Sequence, residues 1–177
     1  MLFPLSASTG FRTTGIALVA GIGALGLASR IAIPMVPVPI TGQTLVVTLI
    51  GALYGPRLGM FTVVAWLIAA ALGLPLLAEG ASGIARFTGA TGGYLIAFPF
   101  AAGLVGYLAR HGHCARSGPA FAVMLAGNAV CLAIGTVWLA GQKGAGIAIQ
   151  AGLLPFVPGA IIKSALAALI ASRLIRP

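Results

Sequence analysis

Glu79 is the only acidic residue in this chain, and aspartate is absent; ten lysines and arginines stand against it in 177 residues, 60% of which are hydrophobic. A surface facing water needs far more charge than this, so lipid is the expected solvent for most of the chain. A hydrocarbon core takes roughly 20 apolar residues per spanning helix, which leaves room for about six spans. Short connections then make one membrane domain of residues 1–177. The expected fold class is an all-α integral membrane bundle.

Prolines, glycines and arginines cut the apolar sequence into segments. Residues 1–13 read as a short amphipathic lead, with Thr13 or Thr14 as N-cap of a first helix over 15–33 that stops at Pro34. Ala20, Ala24 and Ala28 repeat along that helix at i, i+4, near Ala17 and Gly21. Small rows let helix backbones approach closely in lipid, either a partner's helix or a neighbour in the same chain. Pro34, Pro37 and Pro39 forbid a helix over 34–43 and favour a stiff, extended segment. Apolar extended backbone at a membrane must be buried in protein or line a cavity, so this segment is a candidate wall.

Further helices are expected over 44–54, 58–72, 91–108, 119–139 and 158–174. The 44–54 helix is too short to span alone unless the loop before it dips inward. Residues 73–90 and 141–154 read as loops. Six spans place both termini on one side, together with Arg12, Arg57, Arg110, Arg116, Arg173 and Arg176. The excess of positive charge makes that side cytoplasmic. Loops 34–43, 73–90 and 141–154 then converge on the outer face, where nearly every unusual residue falls.

The densest of these features lies within residues 84–98, where Arg86 precedes Gly89, Gly92, Gly93 and Tyr94 at the start of an apolar helix. A helix N-terminus favours anions, glycines admit a ligand close to the backbone, and an arginine fork matches a carboxylate. The alternative is a tight turn with a solvated arginine. Lys163 would lie about 7.5 Å along its helix from Pro158; an ammonium inside a span marks a function unless it snorkels to the interface. Asn128 must meet another helix or a ligand. Gln43 and Thr44 sit where they would cap a helix, and Glu79 is either a water-facing loop charge or an acceptor in the outer site.

Other classes of function find little support. No HExxH, paired carboxylates, GxSxG or Walker A loop is present, so an enzyme or a self-contained ATP-driven pump is not expected. The basic residues are scattered between apolar runs, unlike a nucleic-acid surface. Cys114 and Cys131 match no metal spacing, and the His111-Gly-His113-Cys114 cluster reads as a solvated loop rather than a metal site. Trp66 and Trp138 read as packing or interface anchors.

Five stretches in order carry a resemblance: Pro37-Val-Pro-Ile-Thr-Gly-Gln-Thr44, Gly51-Ala-Leu-Tyr-Gly-Pro-Arg-Leu-Gly59, Gly73-Leu-Pro75, Gly89-Ala-Thr-Gly-Gly-Tyr94 and Leu154-Pro-Phe-Val-Pro-Gly-Ala-Ile-Ile-Lys163. Together they resemble the BioY family, the biotin-specific substrate-binding subunits of energy-coupling-factor transporters. The resemblance implies a multi-pass subunit of the prokaryotic cell membrane that captures biotin from outside and uses no cofactor of its own. It implies a membrane coupling subunit and two cytoplasmic ATPase subunits as partners, with Ala20, Ala24 and Ala28 as the coupling surface. It also implies that the loops between helices 1–2, 3–4 and 5–6 shape the pocket; with the residues singled out above, the candidate lining is Gln43, Glu79, Arg86, Gly92, Gly93, Tyr94, Asn128, Ala160 and Lys163. Two positions depart from the family pattern. Ala90 replaces a proline, and Ala160 replaces an acid three residues before the lysine, where the ureido end of biotin would be held. A subunit of the same fold for another small apolar carboxylate vitamin, or a structural membrane protein, are the competing readings.

Overall fold

The computed structural model describes residues 11–175. Helix α1 (Phe11–Arg30) leads into a ribbon of β1 (Ala32–Ile33) and β2 (Ile40–Thr41), followed by α2 (Gln43–Ala71). A single 3-10 turn (Ala78–Gly80) and the short α3 (Ala85–Thr88) precede α4 (Gly92–Arg110) and α5 (Ser117–Lys143). The short α6 (Ala145–Ile147), a π-helical stretch (Ala148–Leu153) and α7 (Phe156–Leu174) complete the chain. Among the described residues, five helical stretches are long and apolar enough to cross a membrane.

Several boundaries differ from expectation for identifiable reasons. The lead over 1–13 lies largely outside the described residues, as does Arg176. Because α1 already begins at Phe11, Thr13 and Thr14 fall inside it and cap nothing. It ends at Arg30, not at residue 33, because Ala32 and Ile33 pair antiparallel with Thr41 and Ile40. That pairing closes the proline-rich segment into a hairpin, with Pro34 to Pro39 as its loop. The stretch over 141–154 is helical, not a loop: Gly144 (φ 87°) only breaks α5 from α6, and the π-helical turns follow.

The expected helices over 44–54 and 58–72 are the two arms of α2, which meet at a corner at Gly55 (φ 79°, ψ 177°). Glycine tolerates that conformation, and Pro56 fits the first turn of the second arm. A Cβ on Gly59 would lie 3.1 Å from the Gly51 Cα. Eight residues of unbroken helix would separate those positions by about 12 Å, so the chain folds back at the corner. Small residues make the fold-back and its contact with α4 possible: a Cβ on Gly106 would come within 2.6 Å of the Gly55 carbonyl carbon, and one on Gly51 within 3.0 Å of the Ala102 Cα. Close backbone approach replaces the hydrophobic effect as the source of association in lipid.

The core runs between α1, α2 and α4, around Leu25, Val47, Ile50, Val63, Trp66, Leu95 and Phe98. Trp66 stacks on Phe98 with centroids 6.0 Å apart, and its indole N–H donates to the Leu76 carbonyl at 3.2 Å. It is thus a packing residue that also ties down the connection after α2. A second cluster joins Ala109, Cys114, Ala120, Met124 and Ala171 at the end carrying Arg110 and Arg116. There Ser117 and Ser172 share a 3.0 Å hydrogen bond. Tyr54, just before the corner, donates to the Ala17 carbonyl at 2.9 Å, so the N-terminal half of α1 sits at the corner's end of the bundle. The proline hairpin, residues 72–91 and the π-helical stretch gather at the opposite end.

Of the alanine row on α1, Ala20 and Ala24 are exposed but Ala28 is buried, at 7% exposure. A step of four residues drifts about 40° around a helix with 3.6 residues per turn. Two such steps carry Ala28 round to the side facing α2, where a Cβ on Gly42 would lie 3.0 Å from the Ala28 carbonyl oxygen. Ala17 and Gly21 also face inward, the latter against Thr62 and Tyr54.

Candidate functional site

At the loop-rich end the elements enclose a cavity of about 510 Å³. The size suits a small organic ligand. The proline hairpin forms one wall, through Pro34 to Pro39 and Thr41; α2 contributes Gln43 and Thr44; α4 contributes Tyr94, Leu95 and Phe98; α5 contributes Asn128, Cys131 and Leu132; α7 contributes Phe156, Ala160 and Lys163. Leu77, Ala78, Glu79, Ala81, Arg86 and Thr91 complete the lining from the connection between α2 and α4.

The polar groups are held by a network that starts at Thr41. Its carbonyl accepts from Lys163 Nζ at 3.0 Å, and its hydroxyl donates to Gln43 Oε1 at 2.9 Å. Gln43 Nε2 passes the chain on to Ser29 Oγ at 2.9 Å, and Ser29 donates to the Leu25 carbonyl at 2.7 Å. Gln43 is 4% exposed and has both ends of its carboxamide engaged, so it fixes the hairpin against α1. It does not cap α2, whose N-cap is Gly42 without a side-chain hydrogen bond. An ammonium has three donors, so Lys163 keeps two beyond the one given to Thr41.

Asn128, 2% exposed, uses its amide nitrogen on the Met124 carbonyl and Ser164 Oγ, both at 3.1 Å. It therefore meets both a neighbouring helix and the cavity. Ala160 presents only a methyl group to the same space. Tyr94 stacks on Phe156 (5.9 Å) and donates to the Gly152 carbonyl at 2.8 Å, tying α4 to the π-helical stretch. Glu79 and Arg86 line the cavity from exposed positions, and Glu79 adopts a left-handed backbone (φ 58°).

Gly92 and Gly93 are placed differently from expectation. They are buried and do not line the cavity. A Cβ on Gly93 would fall 2.6 Å from Trp138 Cγ, and one on Gly92 would meet the Phe87 carbonyl. The Gly92 and Tyr94 N–H groups already donate to Gly89 and Thr91 carbonyls at 3.0 and 3.1 Å, which removes them as ligand donors. These glycines let α4 sit against Trp138. Trp138 Nε1 donates to the Gly89 carbonyl at 3.0 Å, and Gln142, one turn further along α5, donates to Thr88 O at 2.9 Å. The indole is thus the anchor of the turn, a role its one-turn spacing from Gln142 could have suggested.

At the other end of the bundle, His111 Nδ1 bonds the Tyr107 carbonyl at 2.8 Å and its ring leans on Tyr107. Burial pushes the Cys114 thiol up to about 11, which suits a packing residue more than a ligand.

Three comparisons bear on the site. The model of the BioY family matches residues 6–177. The chain is 38% identical over 159 residues to the probable biotin transporter BioY of Pyrococcus horikoshii, covering 90% of this chain and 93% of that one. It is 36% identical over 168 residues to the biotin transporter BioY2 of Lactococcus lactis subsp. cremoris, covering 94% and 91%. Among solved structures it is similar to the S-component for biotin from an ECF-type ABC transporter, with a TM-score of 0.82, 28% identity and 94% of both chains covered.

Proposed function

The chain belongs to the BioY family, and on that premise we propose that it is the biotin-capture subunit of an ATP-driven importer. It is a membrane protein and a transporter component, not an enzyme. The observation that carries the reading is the cavity. Its walls are largely apolar, its depth holds Lys163 and Asn128, and its rim holds Arg86 and Glu79. Biotin has a matching division: a ureido ring at one end, an apolar bicycle and chain, and a carboxylate at the other.

Lys163 donates to the ureido carbonyl, while the ring and chain lie against Tyr94, Leu95, Phe98 and Phe156. Arg86 receives the carboxylate near the mouth, and Glu79 faces the same opening. In this arrangement the proline hairpin is a pre-organised wall, because its prolines lower the entropy lost on ordering.

The two arms of α2 count as separate crossings, giving six in one domain, with both termini in the cytoplasm of a prokaryotic cell. The positively charged end, with Arg57, Arg110, Arg116 and Arg173, supports that orientation. Energy comes from partners: a membrane coupling subunit and two cytoplasmic ATPases. The coupling subunit docks on the exposed small face of α1 around Ala20 and Ala24, where close backbone approach is available. Titration of the purified protein with labelled biotin tests the reading. Saturable binding of one biotin per chain is expected, and absence of saturable binding contradicts it.

A further inference from the structure

Four arginines at the corner end of the bundle have no acidic side chain to meet them. Glu79, the only acidic residue, lines the cavity at the opposite end. Arg57, Arg110, Arg116 and Arg173 are all exposed. Among the described arginines, Arg30 alone donates a side-chain hydrogen bond, to the Pro75 carbonyl. These four therefore keep every donor of their guanidinium groups. Both lysines of the chain, Lys143 and Lys163, belong to the other end.

The fold sets the four in two pairs. Arg110 lies against the corner, where a Cβ on Gly55 would be 4.0 Å from its Cδ, and Arg57 follows two residues on. The 3.0 Å bond between Ser117 and Ser172 joins the chain neighbours of Arg116 and Arg173. Like charges gathered in this way repel, and a guanidinium does not lose its proton. An anion between the members of a pair offsets the repulsion. A phosphate does so with parallel hydrogen bonds from the guanidinium fork.

The side chains beneath the arginines show what carries the phosphate. Residues three or four apart share a helix face. Arg57 stands four before exposed Phe61 in the second arm of α2, and Arg110 three after exposed Tyr107 in α4. In α7, Arg173 stands four after exposed Leu169. Each of these charges thus tops an apolar stripe on a helix long and apolar enough to cross a membrane. That is the outline of a lipid, with phosphate at the arginine and acyl chain along the stripe. An acidic protein surface would meet the charges and leave the stripes unused.

We infer that this end of the bundle binds anionic phospholipid, with one headgroup at Arg57 and Arg110 and a second at Arg116 and Arg173. The inference stands on the membrane fold and is independent of the biotin reading. Zwitterionic headgroups carry their own cation beside the phosphate, so the arginines select lipids without one.

The test uses the full chain in a neutral detergent. Phosphatidylglycerol should raise its melting temperature, less so as salt is added, whereas phosphatidylcholine and inorganic phosphate should not. Native mass spectrometry should find two phosphatidylglycerol molecules retained per chain. Arg57→Gln with Arg110→Gln, and Arg116→Gln with Arg173→Gln, should each retain one. With all four replaced, the same rise should need roughly tenfold more lipid or beyond. That variant should melt no lower than wild type without lipid, because no internal bond is lost. Lys143→Gln, at the other end, should respond as wild type. Equal stabilisation by phosphatidylcholine or by inorganic phosphate overturns the inference, as does a lower lipid-free melting temperature in the fourfold variant. A wild-type lipid response in that variant overturns it too, and loss of co-purifying ATPase subunits alongside would assign the arginines to an acidic protein.

Discussion

Lys163 Nζ donates to the Thr41 carbonyl at 3.0 Å across 122 residues of sequence, joining α7 to the proline hairpin. The bond holds the lysine over the cavity with two donors to spare. Replacing it by methionine keeps the length and removes every donor. Lys163→Met is expected to weaken biotin binding by at least tenfold, read by titration with labelled biotin. Unchanged affinity would make the lysine a brace for the hairpin and nothing more.

Gln43 is the next link, and its loss should be felt without any ligand. Gln43→Leu leaves the Thr41 and Ser29 hydroxyls short of a partner, although Ser29 keeps the Leu25 carbonyl. The expected cost is about 1–3 kcal/mol, seen as a lower ligand-free melting temperature. A melting temperature equal to wild type would mean that the network adds nothing to the fold.

Much of this site was legible in the residues themselves. Lys163 and Asn128 stood out because polar groups inside a span are expensive and need a reason. The triple proline of 34–39 excluded a helix and so pointed to a wall. What stayed hidden was partnership across the fold. Gly92 and Gly93 looked like room for a ligand, but the room belongs to Trp138, 45 residues beyond Gly93. Ala28 belongs to the i, i+4 row that the resemblance makes a coupling surface, yet helical drift turns it inward. The 141–154 segment is glycine-rich and carries a lysine and two glutamines, which hid its helical turns.

The glycines give a prediction whose sign separates two kinds of site. Alanine normally gains up to about 1 kcal/mol over glycine inside a helix. At Gly23 of α1 nothing lies within 4 Å of a new Cβ, whereas at Gly93 Trp138 is in the way. Gly23→Ala should keep or raise the melting temperature, and Gly93→Ala should lower it. Equal behaviour at the two positions would contradict the packing of α4 on Trp138.

The face of α1 supplies a second contrast. Ala24→Trp adds bulk to an exposed position and should leave biotin binding intact while preventing assembly with the coupling subunit, read by co-purification. Ala28→Trp adds it to a buried one and should disrupt folding outright. Normal assembly in Ala24→Trp would move the coupling surface elsewhere.

The central claim is that the cavity reads the ureido ring together with the carboxylate, and competition binding tests it most directly. Purified protein saturated with labelled biotin is challenged with unlabelled biotin and with lipoate, an apolar carboxylate that lacks the ureido group. Displacement by biotin at matching concentration, with lipoate ineffective over the same range, is the predicted result. Equal displacement by lipoate would assign the cavity to apolar carboxylates in general, and absence of saturable biotin binding would contradict the account altogether.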